Sequence, residues 1–118
     1  MPRVVTVRKE GGTVVCERCL VADSAWTRMR GLLGRSELPE DEGILIKPCS
    51  SIHMFFMRFA IDAVFLDRDL QVLKVVPHLR PWRMASKRRS RSVLELAAGT
   101  CERRGLQVGD RLVLDEPD

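Results

Sequence analysis

The sequence predicts a mainly β domain, a small β-barrel or jelly-roll-like sandwich with one short amphipathic helix. Three observations predict it. Short runs of β-branched and aromatic residues recur at close spacing, separated by Gly, Pro and Asp turn signals. Only residues 25–33 carry helical periodicity over two to three turns. Hydrophobic residues make up 45% of 118 positions and aromatics only 5%, so the core must be mainly aliphatic. The length, with no internal repeat, low-complexity run or linker, points to a single domain over residues 1–118.

Taken in order, residues 4–7 (Val-Val-Thr-Val) read as a strand and residues 13–21 as a second. Lys9-Glu10-Gly11-Gly12 suits a hairpin loop between them. Asp23 and Ser24 are good N-cap residues for a helix over 25–33, in which Trp26, Met29 and Leu33 share a face. Residues 36–43 form a loop with four acids, and residues 43–47 a short strand stopped by Pro48. Residues 52–57 and 61–66 read as strands. Asp67-Arg68-Asp69 is turn chemistry, and residues 71–76 return as the partner strand before Pro77 and Pro81 break it. Residues 82–91 read as an irregular basic loop, 93–97 as a strand, 98–104 as one helical turn closed by Gly105, and 111–114 as a last strand.

The net charge is +4 and the pI about 9.2, carried mostly by Arg. Such a balance favours an anionic partner, although solvated surface arginines give it equally well. Between Arg80 and Arg91 stand six cations and no acid. Arg83, Lys87, Arg88, Arg89 and Arg91 are therefore the candidate anion-binding residues. Nucleic acid ranks low as a partner, because only Trp82 stands beside the loop for base stacking. No apolar run approaches the length of a membrane span, and residues 1–12 lack a leader-type apolar core, so a cytoplasmic location is expected. Free thiols are then expected for the four cysteines. Cys16 and Cys19 have C-x-x-C spacing without a second pair for zinc. In a regular strand, residues i and i+3 face opposite ways, so these thiols should not meet.

The candidate site follows from alternation. On a strand over 52–57, His53, Phe55 and Met57 share one face. The runs 52–57 and 61–66 are apolar on both faces apart from His53 and Asp62, as expected of strands covered on both sides. A buried carboxylate needs a partner, and His53 or Arg58 is nearest in sequence to Asp62. One reading is that His53 and Asp62 satisfy each other or nearby backbone. Another is a small-ligand pocket lined by His53, Phe55, Met57, Asp62 and Glu95. A metal-dependent or acid–base enzyme using His53, Asp62 and Glu95 is the alternative. One His and one Asp are too few to specify a metal, and the residues name no cofactor.

The chain resembles a family known as domain of unknown function 192. The resemblance rests on Arg28-Met29-Arg30-Gly31-Leu32-Leu33-Gly34-Arg35, Ile52-His53-Met54-Phe55-Phe56-Met57 and Ile61-Asp62-Ala63-Val64-Phe65-Leu66-Asp67. Val93-Leu94-Glu95-Leu96-Ala97-Ala98-Gly99 and Gly109-Asp110 follow, so that it spans about residues 13–114. It implies a compact, mostly β domain with a short helix, and no established reaction. It also implies that His53, Asp62 and Glu95 occupy recurrent polar positions. The chain departs from the family at Leu70, where Gly commonly follows the acidic turn residue. Neither the family nor the residues specify the ligand, a catalytic role or the oligomeric state.

Overall fold

The computed structural model describes residues 3–24 and 35–116. The helix expected over 25–33 lies outside the described residues. The strands are β1 (Arg3–Lys9), β2 (Val14–Ala22), β3 (Glu42–Ile46), β4 (Ser51–His53) and β5 (Ile61–Leu66). They continue with β6 (Val72–Leu79), β7 (Met84–Ser86), β8 (Ser92–Ala97) and β9 (Leu112–Asp115), and a helix α1 (Thr100–Arg104) lies between the last two. No helix among the described residues is long and apolar enough to cross a membrane.

Two hairpins form where turn chemistry places them. β1 and β2 pair antiparallel, with Gly11 at φ 74° in the turn and the Gly12 N–H donating to the Lys9 carbonyl. β5 and β6 pair antiparallel around Asp67, whose Oδ1 accepts the N–H groups of Asp69 and Gln71 at 2.8 and 3.0 Å. Leu70 takes φ 64° there, the left-handed conformation that favours Gly. The turn thus forms despite the departure at this position. Gly99 and Gly105, both left-handed, bound α1 as its flanking caps.

Seven strands build one sheet in the order β6-β5-β8-β3-β2-β1-β9, and β4 and β7 form a second. All neighbouring pairs are antiparallel except β2 and β3. The large sheet curls until its two edge strands meet. Gln71 and Arg111 form an isolated bridge. Beside it, Val72 N–H donates to Asp110 O and Leu112 N–H to Leu70 O, at 2.7 and 2.9 Å. The result is a partly closed barrel, in line with the β class expected from sequence.

Residues on the two faces of this sheet enter two separate apolar clusters. The first gathers Val5, Val7, Val21, Leu45, Val64, Leu66, Leu94 and Leu96 with Cys101 and Leu106 from α1 and the turn after it. The second gathers Ile44, Ile46, Ala63, Phe65, Val93 and Ala97 from the opposite face, with Ile52 from β4 and Met54 after it. β5 and β8 are buried at every position, as strands covered on both faces should be. The small sheet is fastened over the second cluster by polar links. Lys74 Nζ donates to Ser86 O at 3.0 Å, and the buried Ser90 hydroxyl lies within 3.4 Å of the carbonyls of Cys49, Leu66 and Ser92.

Three expectations are corrected. The strand over 52–57 ends at His53, because Phe56 adopts φ 66° and the chain turns. Residues 82–91 are not wholly irregular, since β7 pairs with β4 inside them. Pro77 does not end its strand. β6 runs on to Leu79 through a one-residue register shift between Ile61↔Leu79 and Ala63↔Val76. An edge-strand bulge is where a residue lacking an N–H is tolerated.

Gly43 marks the tightest approach of β3 to its neighbours. A Cβ there would lie 2.8 Å from the Glu95 carbonyl oxygen, 3.0 Å from Leu96 Cδ2 and 3.1 Å from Cys16 Sγ. Because one obstacle is backbone, Gly43→Ala should cost about 2–3 kcal/mol by overpacking. Chemical denaturation measures this, and a change under about 0.5 kcal/mol, the usual range of harmless surface substitutions, would show that the strands can separate freely.

Candidate functional site

Asp62, fully buried at the second position of β5, stands opposite the β6 bulge. The bulge turns His78, at φ 50°, so that its N–H donates to Asp62 Oδ1 at 2.9 Å. The Gly99 N–H donates to the same oxygen at 3.1 Å, and the Cys101 N–H to Oδ2 at 2.9 Å. The carboxylate expected to pair with His53 or Arg58 is therefore satisfied by three backbone donors. It joins the edge-strand bulge to the start of α1, where a carboxylate also meets the favourable end of the helix dipole. Burial, with the nearby Asp62 charge adding to it, pushes the Cys101 thiol up to about 12.

Glu95 lies on the other face. In the ladder between β5 and β8, Asp62 pairs with Leu96 and Ala63 with Glu95. Paired residues share a face and successive residues alternate, so the sheet separates the two carboxyl groups. Glu95 stands in a row that crosses six strands as Val4, Leu20, Ile44, Glu95, Ala63 and Val76. It is the one charged member of that row and is 7% exposed. No hydrogen bond or ion pair reaches its carboxyl group among the described residues. Burial alone raises its pKa from 4.5 to about 7. Along the same row, Val4, Leu20 and Ile44 floor a cleft of about 290 Å³, rimmed by Arg18, Arg35 and Glu42. Glu42 pairs with both arginines, at 3.0 and 3.2 Å.

The other expected site residues divide between inside and outside. Met57 packs against the second apolar cluster. His53 is exposed on the outer surface of β4, its ring stacked on Phe55 at 4.6 Å and its Nδ1 accepting the Phe55 N–H at 3.4 Å. Phe55 in turn lies 5.8 Å from Trp82. Arg83, Lys87, Arg88, Arg89 and Arg91 are exposed on and around β7. The structure thus brings Met57 and Glu95 to one layer and His53 and Phe55 to the outer surface, and leaves Asp62 across the sheet from Glu95. No group of three or more His, Cys, Asp or Glu able to hold a metal occurs among the described residues.

Cys16 and Cys19 correct another expectation. Between Val5↔Cys19 and Val7↔Cys16 the register shifts by one residue, so a bulge at Glu17 and Arg18 turns both thiols to the same side. Both are fully buried in the first apolar cluster, the Cys16 thiol donating to Asp41 O at 3.7 Å and the Cys19 thiol to Leu20 O at 3.8 Å. The influence of each thiol on the other lowers Cys16 and raises Cys19, which burial pushes further up. Sequence reasoning missed this pair because alternation holds only for an unbulged strand. It missed the cleft as well, since Val4, Leu20 and Ile44 look like ordinary core residues until three strands are laid side by side.

Comparison with known proteins places this geometry in a family. The profile of the DUF192 family, described as "Uncharacterized ACR", matches residues 5–114. A UPF0127 protein of Thermococcus sibiricus is 30% identical over 112 residues, 90% of this chain and 71% of that protein. One from Pyrococcus furiosus is 35% identical over 97 residues, 77% of this chain and 81% of that protein. Among solved structures, a "putative transcription regulator" from Sinorhizobium meliloti superposes with TM-score 0.83 at 24% identity, covering 97% of this chain and 94% of that one. A protein of unknown function from Novosphingobium aromaticivorans gives TM-score 0.77, also at 24% identity, over 96% of this chain and 84% of that one. These two likenesses establish the shared fold.

Removing Asp62 should leave three backbone donors without their acceptor. Asp62→Ala should cost about 3 kcal/mol or more, and Asp67→Ala, which loses two exposed turn bonds, about 1 kcal/mol. Equal melting temperatures for the two variants would contradict the role assigned to Asp62.

Proposed function

The chain belongs to the DUF192 family, and we propose that it is a small-molecule-binding β domain whose polar contact is Glu95. The observation that carries this reading is the Glu95 carboxyl, buried in an apolar layer without a hydrogen-bond partner among the described residues. Native folds supply nearly all largely buried polar groups with partners, and a ligand at this layer would supply one to Glu95. The cleft floored by Val4, Leu20 and Ile44 supplies an apolar bed. Ile44 is the cross-strand neighbour of Glu95, roughly 5 Å away by strand spacing. The ligand favoured by this chemistry has a mainly apolar body and one hydrogen-bonding group. With its pKa near neutrality, Glu95 can donate to a carbonyl below pH 7 or accept from an amine or hydroxyl above it. Acid–base catalysis by His53, Asp62 and Glu95 together finds no support, since the three side chains point to different surroundings.

A thermal-shift screen of metabolites on the wild type, Glu95→Gln and His53→Ala tests the site. A ligand at 100 times its Kd should stabilise the wild type by about 2.7 kcal/mol, a shift of several degrees. The shift should survive in His53→Ala and shrink in Glu95→Gln. The opposite pattern would move the site to the outer surface.

Glu95 also predicts a pH dependence. Its folded pKa, about 7, lies above the ordinary 4.5, so the folded state holds the extra proton between these values. Stability from this group is complete below pH 4.5 and is lost as pH rises through 7. The loss is about 3 kcal/mol by linkage. Denaturation of wild type against Glu95→Gln from pH 4.5 to 8.5 should show the variant gaining that amount relative to wild type. A constant difference across the range would mean that Glu95 keeps an ordinary pKa.

A further inference from the structure

The outer surface of the small sheet carries a second feature that does not depend on Glu95. Four rings form a row: His53 on Phe55, Phe55 on Trp82 at 5.8 Å and 26°, and Phe56 leaning on Trp82 at 4.9 Å and 60°. Phe56 and Trp82 are 73% and 58% exposed, and Met84 on β7 is also exposed. The backbone fixes these rings facing solvent. Phe56 and Trp82 adopt φ 66° and 71°, a left-handed conformation that bulky residues rarely take and that tends to occur at functional sites. The two loops are locked together, with Met54 N–H donating to Arg83 O and Trp82 N–H to Met54 O, both at 2.8 Å.

Positive charge is concentrated in the same part of the chain. Residues 43–61 and 70–94, which hold β4, β6, β7 and their loops with parts of β3 and β8, carry nine Lys and Arg and no Asp or Glu, whereas residues 62–69 between them add Arg68 and three aspartates. The rest of the chain holds 11 basic and 16 acidic residues, a net charge of −5. Among the described residues, every ion pair joins groups outside those two spans. The nine cations of these spans thus make no ion pair among the described residues, and six of them are arginines, which match phosphate geometry.

We propose that this surface binds single-stranded nucleic acid, with bases stacked on Phe56 and Trp82, the ring of Phe55 backing Trp82, and phosphates held by Arg83, Lys87, Arg88 and Arg89. Exposed rings on paired loops, flanked by cations, fit unpaired bases, whose faces are free to stack. A duplex offers no free base face, and no described helix stands beside these rings to enter a groove.

Fluorescence anisotropy of a labelled 12-nucleotide oligothymidylate tests this on the full chain. Binding should weaken with salt, log K falling against log salt with a slope of about −3 for four phosphate contacts. Phe56→Asn and Trp82→Asn keep a residue that tolerates positive φ and remove the ring. Each should weaken binding roughly tenfold while leaving the melting temperature unchanged or higher. Lys87→Gln combined with Arg88→Gln and Arg89→Gln should flatten the salt slope. Glu95→Gln should bind as the wild type does, which separates this surface from the pocket. The proposal is overturned by affinity unchanged in both Asn variants, by tighter binding to a duplex of equal length, or by binding to phosphatidylserine vesicles alone.

Discussion

The Asp62 carboxylate, accepting three backbone N–H groups, is the contact on which the rest of the architecture depends. A carboxylate taken fully out of water is tolerated only when its oxygens are well supplied with donors. Supplying them fixes three things together. It holds the bulge that lets β6 pass Pro77, it sets the position of α1 at the end of β8, and it places Cys101 in the inner cluster. The β5–β8 register that pairs Asp62 with Leu96 also places Glu95 on the opposite face. A structural carboxylate on one side of the sheet thereby accompanies, on the other, one with no hydrogen-bond partner among the described residues. The two acids, equivalent in a bare sequence, differ because one meets three backbone donors and the other, among the described residues, meets none, with Ile44 and Ala63 as its cross-strand partners.

Much of the fold was legible because it rests on local chemistry. Gly11 marked the first hairpin, Asp67 the second, and Gly105 the end of α1. The full burial of β5 and β8 followed from their apolar composition on both faces. What escaped depended on deviations from regularity that no period records. Phe56 and Trp82 turn the chain at positive φ, a state that sequence signals only through Gly or Asn. The bulges at Glu17 and His78 reverse the facing of residues beyond them, which is why Cys16 met Cys19 and Asp62 met His78 rather than His53. The site was legible as a set of residue types. Its assembly was not, since whether Glu95 and Asp62 share a face depends on the pairing of β5 with β8, a long-range choice.

The two faces of the large sheet divide the work. The first cluster is closed by side chains and by α1, with Asp62 supplied by backbone donors beside it. The outer cluster is roofed by a two-stranded sheet attached through single polar links such as Lys74 to Ser86. Two strands alone are marginally stable, so this roof derives its order from the layer beneath it. Its exposed side is correspondingly free of packing demands, and it is there that strained aromatics and unpaired cations accumulate.

The pairing of β1 with β9 has a kinetic side. Thr6 lies opposite Asp115, and Arg8 Nε is 2.7 Å from the Asp115 carboxylate, so the two strands that join here are more than a hundred residues apart in the chain. The seam between Leu70 and Leu112 adds a second long loop. Contacts of such sequence separation demand costly chain closure before any burial rewards it. The β1–β2 and β5–β6 hairpins can form early and independently, but the barrel cannot be drawn shut until its final strand arrives. Until then β1 keeps one unpaired edge, a row of free donors and acceptors that invites association with other chains. Slow, late closure is the kinetic cost of tying β1 to a strand so distant in the chain.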